Sequence, residues 1–329
     1  MKKWLQENLP FPLKLASKQL LVATVGAFVR LAAFGYNSGR RILRLAAKHG
    51  LDVDKVWNVT YEPEFAPAQL PVWSAQDFLF LTETLSAAEA HNAPRASDRQ
   101  PRTSIVIPVY NKAGFTFQCL RSLLREVDFA ETEVIVVNNA STDETAKLLS
   151  HFQSLVTVVN NEENRGFVDA CNQGAAVARG RYLVFLNNDT VVLPGWLKHL
   201  LETVEGDAST GAVGSMFLYE DGRVQEAGAG VWQNGAAFHY GWGGSPDDRR
   251  YNFAREVDYC SGASLLVRRD LFARLGGFDT RYAPAYYEDV DICFGVRSLG
   301  YKVVYQPMSR VIHHEGVTAG RDTGVGFKR

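Results

Sequence analysis

A few carboxylates and imidazoles in this chain stand where catalysis or metal binding could use them. Asp189 closes the run "YLVFLNND" (182–189). A carboxylate at the end of an apolar strand projects from a rigid element. Its hard oxygens suit a Mg²⁺ or Mn²⁺ ion that bridges two phosphates. An Asp followed by Thr190 and Pro194-Gly195 suits a turn equally well. Glu288, Asp289 and Asp291 crowd a helix start, where acids offset the macrodipole. In the sharper reading one of them is a general base that takes the proton of an attacking hydroxyl. "APAYY" (283–287) precedes them and supplies aromatic walls suited to a sugar ring. His313 and His314 end a strand after "SRV". A neutral imidazole can complete a metal site, but neighbours on a strand face opposite ways, so at most one of the two serves it.

The elements that must position these groups follow from hydrophobic periodicity. "SIVIPVY" (104–110), "EVIVVNN" (133–139), "LVTVVNN" (155–161) and "YLVFLNND" read as strands. "FTFQCLRSLLRE", "STDETAKLLSHF" and "GFVDACNQGAAVAR" lie between them and read as helices, the second one capped. Strands alternating with amphipathic helices predict right-handed βαβ units and a mostly parallel sheet. In such sheets ligands bind beyond the carboxyl ends of the strands. Three of the four strands end in Asn138-Asn139, Asn160-Asn161 and Asn187-Asn188-Asp189, which together describe a polar cleft on one rim. Further on, "VDYCSGASLLVRRDLFARLGGFD", "YYEDVDICFGVRSLGYKVVYQP" and "SRVIHHEG" read as strand–helix, helix–strand and strand–loop. The stretch 228–244 is Gly-rich, aromatic and irregular.

Residues 1–100 have another character and form a separate extension ahead of a domain over 101–329. Residues 12–48 place apolar side chains at helical intervals with basic residues between them. The first 50 residues carry nine Lys/Arg against Glu7 alone, a balance of +8, while the whole chain sums to −1. A basic head on an acidic body fits a helix lying on an anionic membrane surface, or a helical hairpin packed on protein. The segment 88–102 is small, polar and Pro-bearing, and reads as a linker. The net charge predicts no nucleic-acid partner. Cys119, Cys171, Cys260 and Cys293 show neither paired nor zinc-ligand spacing and read as buried thiols in a reducing compartment. The apolar run 20–36 starts late for a signal peptide, contains Arg30 and is short for a membrane span. The expectation is a cytoplasmic protein, peripheral at the inner face of the membrane. No G-x-G-x-x-G follows the first strand and no P-loop occurs, which argues against dehydrogenases and P-loop enzymes.

Taken in order, "SIVIPVYN", "VIVVNNASTDET", "NRGFVDACNQG", "FLNNDTVVLPGW", "SGASLLVRRDLFARLGGFD", "YYEDVDICFGVRSLGYKVVYQP" and "VIHHEG" resemble family 2 inverting glycosyltransferases of the GT-A fold. The likeness covers about 103–328 and is closest to bacterial enzymes that build O-antigen, capsule and other surface polysaccharides. It implies an α/β, Rossmann-like sheet flanked by helices, behind an N-terminal helical extension. It implies that Pro108, Tyr110, Asn138 and Asn139 line the base pocket of a UDP- or dTDP-sugar donor. Asn187 and Asp189 stand at the family's Asp-x-Asp region, contacting ribose and metal, and His313 matches a third metal ligand. Asp289 matches the catalytic base, with Glu288 beside it. The acceptor would be a glycan or a polyprenyl-linked glycan. This chain departs from the family's pattern at Asn138-Asn139, where an Asp is usual, at Asn187 in place of the first Asp, and at Gly295, where many relatives carry Arg. Those departures keep a rival reading open, an inactive homologue that serves a membrane assembly.

Overall fold

The computed structural model describes residues 100–314. The N-terminal extension, its 12–48 segment and most of the linker lie outside the described residues. Within them, eight strands form the spine of one sheet in the order β10-β12-β6-β11-β4-β1-β2-β3. The first half is the expected βαβ series: β1 (Thr103–Val109), α1 (Ala113–Glu126), β2 (Thr132–Asn138), α2 (Thr145–Phe152), β3 (Val156–Asn160), α3 (Gly166–Val177) and β4 (Tyr182–Leu186). β1 pairs in parallel with β2 and β4, and β2 with β3. Then come β5 (Thr190–Val192), α4 (Trp196–Gly206), β6 (Thr210–Leu218), β7 (Val224–Glu226), β8 (Ala229–Val231), β9 (Ala237–His239) and β10 (Arg255–Glu256). The chain ends with β11 (Ser264–Arg268), α5 (Arg269–Arg274), α6 (Glu288–Ser298) and β12 (Lys302–His313).

Alternation along the central strands builds two cores, one on each face. Ile105, Ile107 and Val109 of β1 pack with Phe117, Leu120 and Leu123 of α1, Leu149 of α2 and Trp196 of α4. Val106 faces the other way, with Val168 and Cys171 of α3, Phe272 of α5 and Ile292 of α6. The result is a three-layer α/β/α body, as expected for strands buried on both faces. Gly174 lets α3 approach this closely, because a Cβ there would sit 2.3 Å from a methyl of Val106. α2 starts at Thr145, later than the start at Ser141 that "STDETAKLLSHF" suggests. Asp143 organises that start, accepting the Thr145 N–H at 3.0 Å.

Strand direction decides what meets on the rim. β11 is antiparallel to both β4 and β6, so β6 runs the same way as β4. β12 is parallel to β6 and therefore points to the same rim. Hence the ends of β4 and β12 and the start of β11 gather with the ends of β1–β3. The sequence pattern separated "KVVYQP" from "SRVIHH". They are one strand, β12, whose register shifts between Gln306 and Arg310. The shift carries Ser309 into a buried hydroxyl chain. Ser309 and Ser264 each lie 2.8 Å from the Ser215 Oγ, and the Trp196 indole N–H donates to the Ser264 Oγ at 2.9 Å. Trp196 is fully buried. Trp196→Ala is expected to cost about 3–5 kcal/mol, from the cavity and from the donor lost to Ser264. Urea unfolding measures this, and a loss under about 1 kcal/mol would contradict the packing described.

Candidate active site

β4 delivers the acid side chain to the rim. The Asn187 N–H donates to the Ala263 carbonyl at 3.0 Å, and the Thr190 hydroxyl donates to the Asn187 carbonyl at 2.6 Å. Asn188 is pinned to α1 through Thr116 at 2.9 Å. With its neighbours fixed, Asp189 is buried, and its Oδ1 has no hydrogen-bond donor. The Asn187 Oδ1 is buried and unpartnered as well. β12 brings in the imidazole: the His313 Nε2 lies 3.5 Å from the Asp189 Oδ1, while its Nδ1 lies 3.0 Å from the Gln225 Oε1. With Nδ1 donating to the Gln225 carbonyl, Nε2 would be the lone-pair nitrogen, the usual outer-shell arrangement for a ligating histidine. His314 turns to the opposite side, where its Nδ1 lies 2.5 Å from Glu220 and its ring 5.1 Å from Phe115. Among the described residues no three His, Cys, Asp or Glu side chains converge on one point. Two protein ligands suit a Mg²⁺-type ion nonetheless, because substrate phosphates and water normally supply the rest. The orphaned oxygens of Asp189 and Asn187 and the nitrogen of His313 fit such an ion.

α6 delivers the second set of carboxylates. Its first turn holds Glu288, Asp289 and Asp291, and the two residues before it, Tyr286 and Tyr287, both have positive φ (83° and 70°). That backbone costs about 1–3 kcal/mol per residue and is held only by its surroundings. The Asp289 Oδ2 accepts the Gly262 N–H at 3.0 Å, just ahead of β11, and its Oδ1 accepts the Val290 N–H at 2.8 Å. Glu288 is buried, with Oε2 unpartnered. Burial, and then the charge of Asp289, push the Glu288 carboxyl up to about 8. Burial also raises Asp289, against the pull of the two N–H groups. Burial thus favours the protonated form of Glu288 near pH 7.

A test follows for stability. Folded Glu288 keeps its proton up to about 8, whereas the unfolded chain releases it near the ordinary 4.5. The native state then binds the extra proton, and stability falls as pH rises through that window. Glu288→Gln is expected to remove much of this fall, on the order of 1–4 kcal/mol between pH 5 and 8. Thermal denaturation at the two pH values reads it. An unchanged pH dependence would rule out a buried, protonated Glu288.

The remaining rim residues divide into exposed and internally bonded. Tyr110 is exposed and Pro108 half-buried. Asn138 and Asn139 are buried. The Asn138 amide N–H₂ donates to Asn160 at 2.9 Å, and its carbonyl accepts the Ser141 N–H at 3.1 Å. Asn139 donates to the Asn164 side chain and the Gly166 carbonyl, and accepts from Asn161 and the Arg165 N–H. The amide of Asn139 is thus saturated within the protein and braces the loops after β2 and β3. The four cysteines are buried and unpaired. Burial pushes Cys119 and Cys293 up to about 12, so their thiols stay protonated.

Two residues that brace the site escape sequence reading, Gly262 and Gln225, and so does the Glu226–His239 pair, 2.6 Å apart. Gly262 acts through its backbone, and the other three sit in the aperiodic stretch after β6. Only their position beside a Gly-rich, aromatic segment hinted at them.

The rim thus joins an Asp189–His313 pair to a clamped Asp289. The family model described as glycosyl transferase family 2 matches residues 104–276. The chain belongs to glycosyl transferase family 2. Within the family it is 32% identical over 230 residues to the O-antigen biosynthesis protein RfbC of Myxococcus xanthus, a match covering 68% of this chain and 18% of that one. It is 28% identical to an N-acetylglucosaminyl-diphospho-decaprenol L-rhamnosyltransferase of Mycobacterium tuberculosis, covering 57% of this chain and 68% of that one. The chain thus spans less than a fifth of the Myxococcus protein. Among solved structures, GalNAc-T7 with UDP, GalNAc and Mn²⁺ aligns with TM-score 0.54 at 16% identity, over 77% of this chain and 56% of that one. The mannosyltransferase PcManGT from Pyrobaculum calidifontis, in complex with GDP-Man and Mn²⁺, aligns with TM-score 0.51 at 20% identity, over 74% and 69%. These likenesses establish the GT-A fold of this family 2 member.

Proposed function

We propose that the protein transfers a sugar from a UDP- or dTDP-sugar to a glycan or polyprenyl-linked glycan, with inversion at the anomeric carbon, in bacterial surface-polysaccharide synthesis. The observation that carries the reading is the convergence on one rim of Asp189 with His313 and of Asp289 held by Gly262. The names of the Myxococcus and Mycobacterium relatives support the setting and the lipid-linked acceptor. The base would pack near Pro108 and the exposed ring of Tyr110, with Asn138 and Asn139 shaping the pocket from behind.

Asp189 and His313, with Asn187 beside them, would hold a Mg²⁺ or Mn²⁺ ion, which supplies Lewis-acid neutralisation of the departing diphosphate. Asp289 takes the proton of the acceptor hydroxyl as its oxygen bonds to the anomeric carbon and the carbon–phosphate-oxygen bond breaks. Gly262 and Val290 aim the carboxylate, and Glu288, protonated, keeps a second negative charge away from it. The basic segment 12–48, which lies outside the described residues, would face anionic lipid at the inner surface of the membrane, bringing the chain to a lipid-linked acceptor.

Calorimetric titration of the full chain with UDP-, dTDP- and GDP-sugars in the presence of Mn²⁺ tests the proposal. The expected result is saturable binding of the UDP or dTDP class, weakened by EDTA. Binding of none of the three would overturn it.

A further inference from the structure

The excursion between β7 and β10 carries an unusual share of exposed aromatic surface. Trp232, Tyr240, Trp242 and Phe253 are 42–50% exposed, and Tyr287, just before α6, is 45% exposed. They do not hang free. Trp232 stacks on Phe238 across the β8–β9 hairpin, with centroids 4.5 Å apart, and Tyr240 meets Phe238 edge-on at 5.0 Å.

The excursion is tied to both halves of the candidate site. The Tyr287 hydroxyl donates to the Gly235 carbonyl at the hairpin tip (3.3 Å), two residues before Asp289. The Trp242 indole N–H donates to the Tyr219 hydroxyl at 2.8 Å, beside the Glu220 that holds His314. At the root of the excursion, Gln225 holds His313, and the next residue, Glu226, meets the Nδ1 of His239 at 2.6 Å. Glu226 is 2% exposed, yet its Oε1 has no hydrogen-bond partner. A buried carboxylate oxygen without a donor is costly unless something supplies one. A hydroxyl-bearing ligand does so.

We infer that the β8–β9 hairpin is the acceptor platform, stacking a pyranose ring of the acceptor glycan on Trp232 and Tyr287 while the Glu226–His239 pair receives its hydroxyls. The inference rests on the transferase reading, because the acceptor hydroxyl must reach Asp289. Rigid aromatic faces beside a few buried polar groups are the chemistry that binds a sugar, apolar on its ring faces and polar at its edge. An alternative occupant, a second copy of this chain, would use the aromatic rings and leave the orphaned Glu226 oxygen without a donor.

The test uses the full chain on an array of hexose- and N-acetylhexosamine-terminated glycans, loaded with UDP and Mn²⁺. Wild type is expected to retain a subset of pyranosyl glycans. Trp232→Ala and Glu226→Gln are expected to weaken that retention tenfold or more, whereas Phe294→Ala, an equally exposed aromatic away from the hairpin, keeps it. Calorimetric binding of the donor nucleotide by each variant shows that it is folded. The platform is overturned if wild type retains no glycan, if retention is indifferent to Trp232, or if the Trp232 variant instead loses a concentration-dependent dimer seen by sedimentation. Nucleotide binding that persists alongside any of these outcomes leaves the transferase reading standing. Its absence from wild type removes that reading instead.

Discussion

Replacing Asp289 by asparagine is expected to lower sugar transfer by about 10²–10⁴-fold, the usual contribution of a positioned general base. Asparagine keeps the shape and can still accept the Gly262 N–H through its carbonyl. Donor binding should therefore be nearly unchanged, and the loss should fall on kcat. The pH profile adds a second reading. Because burial raises the Asp289 carboxyl, the acid limb of the wild-type rate should lie above the ordinary aspartate range near 4. Activity should rise as pH climbs through that limb, as the base gives up its proton. Full turnover by Asp289→Asn would remove Asp289 from the chemistry, and an acid limb at or below the ordinary range would contradict the buried environment.

Asp189→Ala should weaken Mn²⁺-dependent donor binding by about 10²-fold or more. Outer-shell partners of a metal typically contribute 10–100-fold in affinity, and a direct ligand should reach at least the upper end of that range. Two further variants order the effect. His313→Ala should fall close to Asp189→Ala, while Gln225→Leu, which frees the imidazole Nδ1, should cost less. Calorimetry with Mn²⁺ and then with EDTA separates the cases. If wild-type binding is the same with and without EDTA, the Asp189–His313 pair holds no cation, and its orphaned oxygen needs another occupant. A graded loss in the order given would identify Gln225 as a positioning residue acting through His313.

The fold was legible wherever hydrophobic period and strand-end chemistry agreed. β1 to β4 could be read because each is a short apolar run closed by polar turn residues and followed by an amphipathic helix. The place of Asp189 at the end of β4, and of Asp289 in the first turn of α6, followed from the same signals. The union of β12 was missed because Gln306-Pro307 reads as a break, whereas a register shift lets the strand continue past it. Asn138 and Asn139 illustrate another limit. Residue type marked them as cleft-lining, but only the folded contacts of Asn160, Asn161 and Asn164 reveal that their amides serve neighbouring loops. The Gly262 clamp was invisible because a backbone N–H has no side-chain signature. Glu226 and His239 lie on β7 and β9, each three residues long, too short for any period to register.

Because β11 runs against both of its neighbours, the chain reaches the rim at the end of β6, makes the whole aromatic excursion there, and re-enters the sheet through Ser261–Ala263. The excursion is therefore a cassette, bounded by β7 on one side and β10 on the other, and no strand between β1 and β4 depends on its length. Insertions, deletions or wholesale exchange between 228 and 254 would change the surface that Tyr287 grips through Gly235 without displacing Asp189. On the platform reading, such changes alter the acceptor of the reaction and leave its donor site intact.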